Sequence, residues 1–378
     1  MDIKSVLKLN AYRNIPLWYD QAYELGLYLL MGCKGDKTAM MESVIVLSAL
    51  HNKALYHHQG DDKTTPHSAA EQIAGICAAV FNEDIAKSQF GFVRPDVPVA
   101  MDNCGMGGDL IITANVSTLS AFIVATAGIP MCKHGSPANA DKGRHGSSDF
   151  IDLCGINRFA DKQTIEASVK RYNFAYTEAL DTRYKHIHKQ THGFVNLPHM
   201  NDIIGPITNP VDPKIMSRRV LGVNHLVPTR VVAEAYHILN QKKVMYMDHL
   251  LVVRGLISED SDEGIDELSI CHGGTEVSEL CDGEIKTYHL YAANFGVQEA
   301  SVADISPPEN VSKGNFSMQI LCGERGGSVL DMICANAALL FYLNNPTLSW
   351  VKAYQAAYDT FLTGKVPEMK DEVAKLCR

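Results

Sequence analysis

The stretch Asp102-Asn-Cys-Gly105-Met-Gly107-Gly108-Asp109, followed by Thr113-Ala-Asn115-Val-Ser117-Thr118, decides the fold. It stands between a short apolar segment at 97–101, which predicts a strand, and an apolar segment at 118–127, which predicts a helix. Glycines at such a junction let the backbone approach a ligand closely and turn its amides towards an anion. We expect Ser117 to cap the helix, where the helix dipole favours negative charge.

A second unit of the same kind follows. Lys133-His134-Gly135 leaves a predicted strand at 129–133, and Gly146-Ser147-Ser148-Asp149 opens a predicted helix at 148–154. Ligands of open α/β sheets bind at the carboxyl ends of the strands, so both loops are expected at one edge of the sheet. Two such loops indicate a substrate with two phosphate-bearing ends. A capped glycine-rich turn and a solvated basic loop are the structural alternatives that these residues leave open.

An acidic run at 259–267 holds six carboxylates in nine residues. Its last pair, Asp266 and Glu267, suits Mg²⁺, which binds through one or two carboxylates plus substrate phosphates. Taken alone, such a run is more typical of a solvated face. Asp109, beside a phosphate loop, suits the hydroxyls of a sugar or a metal ion.

The rest of the chain predicts an α/β protein. Helical periodicity at 18–31, 40–55 and 69–81 indicates a helical beginning, and strand-like segments at 219–223, 249–255 and 286–291 alternate with helix-like ones at 230–240, 328–342 and 348–362. We expect a small all-helical domain and a large α/β domain with a central, mostly parallel sheet flanked by helices. The helical domain is assigned to 1–95 with part of 158–200, and the α/β domain to 96–157 and 201–378.

Composition excludes several classes of function. The chain has 378 residues, 46% of them hydrophobic, and a net charge of −9, which argues against a non-specific nucleic-acid binder. The longest apolar runs, at 44–50 and 119–127, fall short of the roughly 20 residues that a membrane span needs. The ten cysteines form no Cys-x-x-Cys pair, and the chain does not begin with an apolar signal core. We therefore expect a cytoplasmic protein without a membrane segment.

Together with Gly205-Pro-Ile-Thr-Asn-Pro210, Gly264-Ile-Asp-Glu267 and Asn336-Ala-Ala338, these motifs resemble the anthranilate phosphoribosyltransferase family. That family is related in fold to the pyrimidine nucleoside phosphorylases. The resemblance runs from about Val97 onwards and implies a Mg²⁺-dependent transferase that uses phosphoribosyl pyrophosphate (PRPP). It also implies a homodimer formed through the helical domain.

The family resemblance implies roles for individual residues of this chain. It implies that PRPP is held by Gly108, Asp109, Thr113, Asn115, Ser117, Thr118, Lys133 and Ser147, and the predicted substrate site further includes Gly105, Gly107, His134 and Gly135. The Mg²⁺ ligands that it implies are Ser117, Asp266 and Glu267. The expected chemistry is displacement of pyrophosphate at the anomeric carbon, with positioning by Asp109 and Lys133 and without a covalent nucleophile.

The acceptor half departs from the family. Ser136 follows Lys-His-Gly where the family has Asn, and Pro198-His-Met-Asn-Asp202 stands where the family reads Arg-Thr-x-Phe-Asn. A carboxylate acceptor would lose a bidentate partner, on the order of 1.5–3 kcal/mol. We therefore expect an aromatic or heteroaromatic nitrogen acceptor other than anthranilate.

New polar residues fill the acceptor region. Its candidate contacts are Ser136, Arg183, His186 and His199. His188 and His192 would share one face of a helix near His186, so a metal site is an open alternative, although the sequence places no third ligand.

Two other functions remain open from the sequence. One is a nucleoside phosphorylase, which the Asp266-Glu267 pair disfavours because inorganic phosphate needs no such metal clamp. The other is a non-catalytic family member that binds nucleic acid or a protein partner, which the charge of −9 and the intact donor residues disfavour.

Overall fold

The computed structural model describes residue 5 and residues 15–32, 35–39, 41–42, 66–109, 111–136, 146–177, 200–258 and 263–378. Its centre is a sheet of eight described strands, seven of them in the order β3-β2-β1-β4-β5-β7-β8, with β6 paired to β5. The strands are β1 (Ala100–Gly105), β2 (Met131–Lys133), β3 (Phe174–Tyr176), β4 (Met216–Gly222), β5 (His249–Leu256), β6 (Gly264–Ile265), β7 (Thr275–Cys281) and β8 (Glu284–Leu290).

The sheet is mostly parallel. The pairs β1–β2, β1–β4, β2–β3 and β4–β5 are parallel, whereas β6, β7 and β8 join by antiparallel pairing. Strand β5 alternates its side chains between two cores, with Leu251 and Val253 on one face and Leu250 and Val252 on the other. Burial on both faces is what a parallel sheet covered by helices requires. The predicted α/β class is confirmed.

Helices cover both faces of the sheet. One face carries α3 (Val116–Thr126), α4 (Ser147–Leu153), α5 (Lys162–Tyr172), α8 (Val302–Ile305), α9 (Lys313–Leu321), α10 (Ser328–Asn344), α11 (Trp350–Leu362) and α12 (Lys365–Leu376). The other carries α1 (Tyr19–Gly32), α2 (Pro66–Val80), α6 (Asn201–Ile207) and α7 (Thr229–Gln241). A π-helical turn, Phe81–Ile85, follows α2, and a 3₁₀ turn, Ala292–Phe295, follows β8.

Helices α1 and α2 approach each other through glycine. A Cβ on Gly26 would lie 2.5 Å from the Cβ of Ala79, and one on Gly75 would lie 2.4 Å from the Tyr19 carbonyl oxygen. This close packing joins the N-terminal helices into one core with α6 and α7.

Several predicted boundaries change in the structure. Strand β1 begins at Ala100 and not at residue 97. Most of the helix predicted over 40–55 lies outside the described residues. The sequence analysis missed α5, and it missed β7, which forms a hairpin with β8.

The proposed division into two domains stays a prediction. Strand β3 pairs with β2, so residues 174–176 lie in the sheet. The helical domain was predicted to include part of 158–200. Residues 178–199 of that range lie outside the described residues. Within the described residues, no helix has the length and apolar character that crossing a membrane requires.

Candidate functional site

The glycine-rich loop after β1 lies at the carboxyl end of the parallel strands. Gly107 and Gly108 have φ angles of +78° and +84°, a region that glycine adopts without strain. The Asn224 side chain, just beyond β4, donates to the Gly107 carbonyl at 2.9 Å, and the Met106 amide donates to the Gly222 carbonyl at 3.0 Å. The loop is therefore fixed to the neighbouring strand in a conformation that turns its backbone towards the sheet edge.

Three carboxylates meet at this loop. One carboxylate oxygen from each of Asp109, Asp266 and Glu267 lies within 4.8 Å of the others. The Gly107 amide donates to Asp266 Oδ2 at 2.6 Å, and the Asp266 amide donates to Asp109 Oδ1 at 3.1 Å. Asp266 and Glu267 are only 7% and 8% exposed, so the solvated-face interpretation of this part of the acidic run is wrong.

Two glycines make room for the Asp266 segment. It follows β6, which runs antiparallel to the end of β5. A Cβ on Gly105 would lie 2.0 Å from Asp266 Oδ2, and a Cβ on Gly222 would lie 1.5 Å from the Asp266 carbonyl oxygen. The sequence analysis included Gly105 in the site and missed Gly222, which no motif marks.

The electrostatics of the three carboxylates fit a divalent cation. Burial, followed by the charge of Asp266, raises the pKa of Asp109. Burial and Asp266 also raise the pKa of Glu267, with the Lys313 charge opposing them. Glu267 Oε2 is buried without a hydrogen-bond partner among the described residues. A cluster of carboxylate oxygens, one of them without a hydrogen-bond partner among the described residues, suits the coordination of a hard cation such as Mg²⁺.

The first turn of α3 differs from the prediction. The helix begins at Val116 with Asn115 as its N-cap, so Ser117 lies inside the first turn and does not cap the helix. The Ser117 carbonyl accepts from the Asn103 side chain at 2.7 Å. Thr113 and Thr118 are buried, and the Thr118 hydroxyl has no hydrogen-bond partner among the described residues.

Asn115 connects three helices at the site. Its amide donates to Ser317 Oγ on α9 at 2.8 Å, and its side chain donates to the carbonyl of Gly146, the N-cap of α4, at 3.4 Å. Ser317 Oγ also lies 2.8 Å from the Lys313 carbonyl. The sequence analysis missed Ser317, which lies 202 positions from Asn115.

The second loop follows β2. Lys133 is fully buried, and its Nζ donates to the His134 carbonyl at 2.6 Å. Gly135 lies against α4, because a Cβ there would lie 2.6 Å from the Cβ of Ser147. The exposed Ser136 accepts from the Ser148 amide through its carbonyl at 3.2 Å. The loop and the start of α4 are thus brought together as predicted.

His134 is buried against a network of charges. Its amide donates to Asp102 Oδ1 at 2.8 Å, and Asp102 pairs with Arg219. Burial lowers the pKa of the His134 ring to about 4. Burial alone raises the pKa of Asp102, but Arg219, Lys133 and His134 together outweigh it and lower that pKa.

The predicted acceptor contacts Arg183, His186 and His199 lie outside the described residues, as do His188, His192 and Pro198. Residues 137–145 of the second loop lie outside them too. Acceptor recognition therefore stays a prediction.

Comparison of the sequence with known proteins identifies a family. Residues 97–366 match the family model described as "Glycosyl transferase family, a/b domain". The anthranilate phosphoribosyltransferase of Psychromonas ingrahamii is 30% identical over 307 residues, which cover 81% of this chain and 83% of the relative. That of Acetivibrio thermocellus is 28% identical over 304 residues, covering 80% and 81%.

Solved structures share the fold. The anthranilate phosphoribosyltransferase of Thermus thermophilus superposes with a TM-score of 0.76 at 22% identity over the whole of both chains. The Saccharomyces cerevisiae enzyme in complex with PRPP and Mg gives a TM-score of 0.74 at 21% identity, over 96% of this chain and 93% of that one.

Proposed function

The chain belongs to the anthranilate phosphoribosyltransferase family and is a phosphoribosyltransferase, and we propose that it transfers the phosphoribosyl group of PRPP to the nitrogen of an aromatic or heteroaromatic acceptor in a Mg²⁺-dependent reaction. The observation that carries this proposal is the meeting of Asp109, Asp266 and Glu267 at the glycine-rich loop. A structural neighbour of the same family has been solved with PRPP and Mg, which supports the choice of donor.

The donor is held by the two loops. The glycine-rich loop at Gly107 and Gly108 and the first turn of α3, with Asn115 and Ser117, suit a phosphate group, because a glycine backbone lets the ligand approach closely and the helix dipole favours negative charge. Lys133 adds a fixed positive charge beside the second loop, where Ser147 opens α4. The substrate roles of Gly105, Thr113, Thr118, His134 and Gly135 belong to the same proposal.

The carboxylates are the proposed metal site. Asp109, Asp266 and Glu267 would hold Mg²⁺, with Ser117 as the further ligand that the family resemblance implies. When bound, the ion neutralises the negative charge that grows on the leaving pyrophosphate. The sequence left two roles open for Asp109, binding the hydroxyls of a sugar or binding a metal ion, and the proposal assigns it the second.

The reaction needs positioning rather than a nucleophilic side chain. The bond from the anomeric carbon to the pyrophosphate oxygen breaks, the bond to the acceptor nitrogen forms, and that nitrogen loses a proton. The amides of the loop stabilise the departing oxygens, and the buried site limits the access of water to the oxocarbenium-like carbon.

The acceptor is proposed to differ from anthranilate. The support is the sequence: Ser136 and Pro198 stand where the family has polar or charged acceptor contacts. The homodimer also belongs to the proposal, and light scattering of the purified protein tests it by its mass.

Release of pyrophosphate tests the function directly. The protein is incubated with PRPP and Mg²⁺ and with anthranilate, aniline or imidazole in turn, and the Glu309→Gln variant, a change at an exposed residue to which no site role is assigned, serves as a control. We expect acceptor-dependent release that EDTA abolishes, with anthranilate not the best of the three. Efficient use of anthranilate would contradict the proposed acceptor only. Absence of both pyrophosphate release and PRPP binding would contradict the transferase itself.

A further inference from the structure

Strand β1 carries a buried side-chain amide beneath the first turn of α3. Asn103 is 4% exposed, and its Nδ2 donates to the Ser117 carbonyl at 2.7 Å. Among the described residues, Asn103 is the one side chain outside α3 that hydrogen-bonds Ser117. The position of this turn above the sheet is therefore fixed from β1.

The helix has no need of this hydrogen bond. Inside an α-helix each carbonyl accepts from the amide four residues further on, so the Ser117 carbonyl has a partner within α3 itself. On the strand, Met101 lies on the same face two residues before Asn103, and it belongs to the apolar core that α3 covers. An apolar side chain would therefore suit the fold at position 103.

The amide also carries a cost for the folded state. Asn103 Oδ1 is buried without a hydrogen-bond partner among the described residues. Such an acceptor loses its hydration without compensation, whereas an apolar side chain of the same shape would bury no unsatisfied atom. Stability alone therefore does not explain an asparagine at this place.

Strand β1 connects the first turn of α3 to the carboxylates. Gly105, two residues beyond Asn103, lies against Asp266, because a Cβ there would lie 2.0 Å from Asp266 Oδ2. At about 3.3 Å per strand residue, the two contacts lie within about 7 Å of each other along β1. The hydrogen bond from Asn103 thus sets the spacing between Ser117 and the carboxylate cluster.

We propose that Asn103 is a positioning residue of the donor site, which holds the first turn of α3 so that the Ser117 hydroxyl meets the Mg²⁺ and the pyrophosphate of PRPP at the carboxylates. This inference rests on the proposed transferase function. It assigns a role to a residue that the family resemblance did not mark, and that role is exercised through Ser117.

The decisive variant is Asn103→Leu, which keeps the branching of the side chain and removes both of its polar atoms. Ser217→Ala is the matched control, since Ser217 on β4 is 5% exposed and its Oγ is also buried without a partner among the described residues. Ser217 lies five residues before Gly222, about 17 Å from the end of β4 that meets the site. Thermal unfolding measures stability, and calorimetry with Mg²⁺ measures the Kd for PRPP.

The account predicts that affinity and stability change independently. Asn103→Leu should unfold at the wild-type temperature or above it, because the unsatisfied oxygen is gone. Its Kd for PRPP should rise by about 10- to 100-fold, since a misplacement of about 1 Å in a positioned group has effects of this size. Ser217→Ala should keep the wild-type Kd for PRPP. An unchanged Kd in folded Asn103→Leu would overturn the positioning role.

A double-mutant cycle distinguishes positioning from a general structural effect. Ser117→Ala removes the hydroxyl that Asn103 is proposed to place. Adding Asn103→Leu to that variant should therefore weaken PRPP binding by less than about threefold further, because the two residues act as one unit. Fully additive losses would overturn the proposal, since Asn103 would then act independently of Ser117.

Failure of the variant and failure of the proposed function give different results. If Asn103→Leu does not fold, Asn103→Ala replaces it, with the same expected loss of PRPP affinity, and a wild-type Kd in that variant would overturn the role. A wild type that binds no PRPP at millimolar concentration would instead contradict the proposed function, and this inference with it.

Discussion

At the scale of single residues, the site depends on three carboxylates that repel one another, two of them buried and that of Asp109 half-buried. Asp109, Asp266 and Glu267 lie together, and the charges of Lys313 and, more weakly, Lys133 oppose the rise in the pKa of Glu267. The raised pKa values of Asp109 and Glu267, and the buried Glu267 Oε2 without a hydrogen-bond partner among the described residues, show that this cluster of carboxylates is electrostatically unfavourable by itself. The proposed cation would offset this repulsion when it binds.

Glu267→Gln tests this trade-off. Without metal, the variant should unfold at the same temperature as the wild type or a higher one, because one repelling charge is gone. With saturating Mg²⁺, the wild type should gain about 2–3 kcal/mol at a concentration of 100 times the Kd, and the variant should gain much less. Thermal unfolding with and without MgCl₂ measures both. The exposed Glu309→Gln serves as the control, and an equal response of Glu267→Gln to Mg²⁺ would exclude Glu267 as a ligand.

His134 predicts a defined pH dependence of stability. Its pKa falls from the ordinary 6.5 to about 4 in the folded chain. Between these values the unfolded state binds a proton that the folded state does not, so the free energy of unfolding decreases as the pH falls through this window. The contribution of His134 to this loss should reach about 2 kcal/mol at pH 5 relative to pH 7, and the raised pKa values of Asp109 and Glu267 oppose it because they favour the folded state as the pH falls.

Urea unfolding at pH 5, 6 and 7 measures this dependence, with His134→Gln as the matched variant. The variant should be less stable at pH 7 and should show a shallower decrease towards pH 5. The lowered pKa of Asp102 contributes only at pH values below this window, since its ordinary pKa is 3.8. Identical slopes in both proteins would contradict the account of His134.

At the scale of elements, periodicity and turn chemistry predicted most of the described helices and the parallel strands other than β3. These predictions failed for the start of α3, which depends on residues that are distant in the sequence, and for the pairing of β7 with β8. Asn115 and not Ser117 caps α3, because Ser317 and Gly146 hold Asn115 at the helix start. The missed hairpin carried a local signal: Asp282 and Gly283 between β7 and β8 have φ angles of +50° and +79°, and Asp-Gly is a common hairpin turn.

Ser317→Ala tests the connection between α9 and α3. The change removes the Ser317 hydroxyl that the Asn115 amide and side-chain oxygen contact, which costs about 1–3 kcal/mol. Part of this cost should appear in the donor site as a PRPP Kd that rises by about tenfold. The control is Ser349→Ala, since Ser349 caps α11 by accepting from the Lys352 amide and its loss should lower stability by about 1 kcal/mol without affecting PRPP. Equal PRPP affinity in both variants would show that α9 does not support the site.

At the scale of the whole molecule, the site is assembled from the ends of several strands. The donor half could be predicted from sequence because the loops after β1 and β2 are contiguous motifs. Gly222, Ser317 and Arg219 could not, because their role is to approach residues that lie 40 to 200 positions away. The family then supplied the reaction class, whereas most of the candidate acceptor contacts, Arg183, His186 and His199, lie outside the described part of the chain.

The most direct test of the central claim is calorimetric titration of PRPP into the protein with Mg²⁺, repeated with EDTA and with Asp266→Asn. The account predicts binding that requires the metal and that weakens by at least about 100-fold in the variant, whose Gly107 contact and metal ligand are both altered. Binding that is equally tight in EDTA or in Asp266→Asn, or no binding at millimolar PRPP, would contradict the proposed metal-dependent donor site.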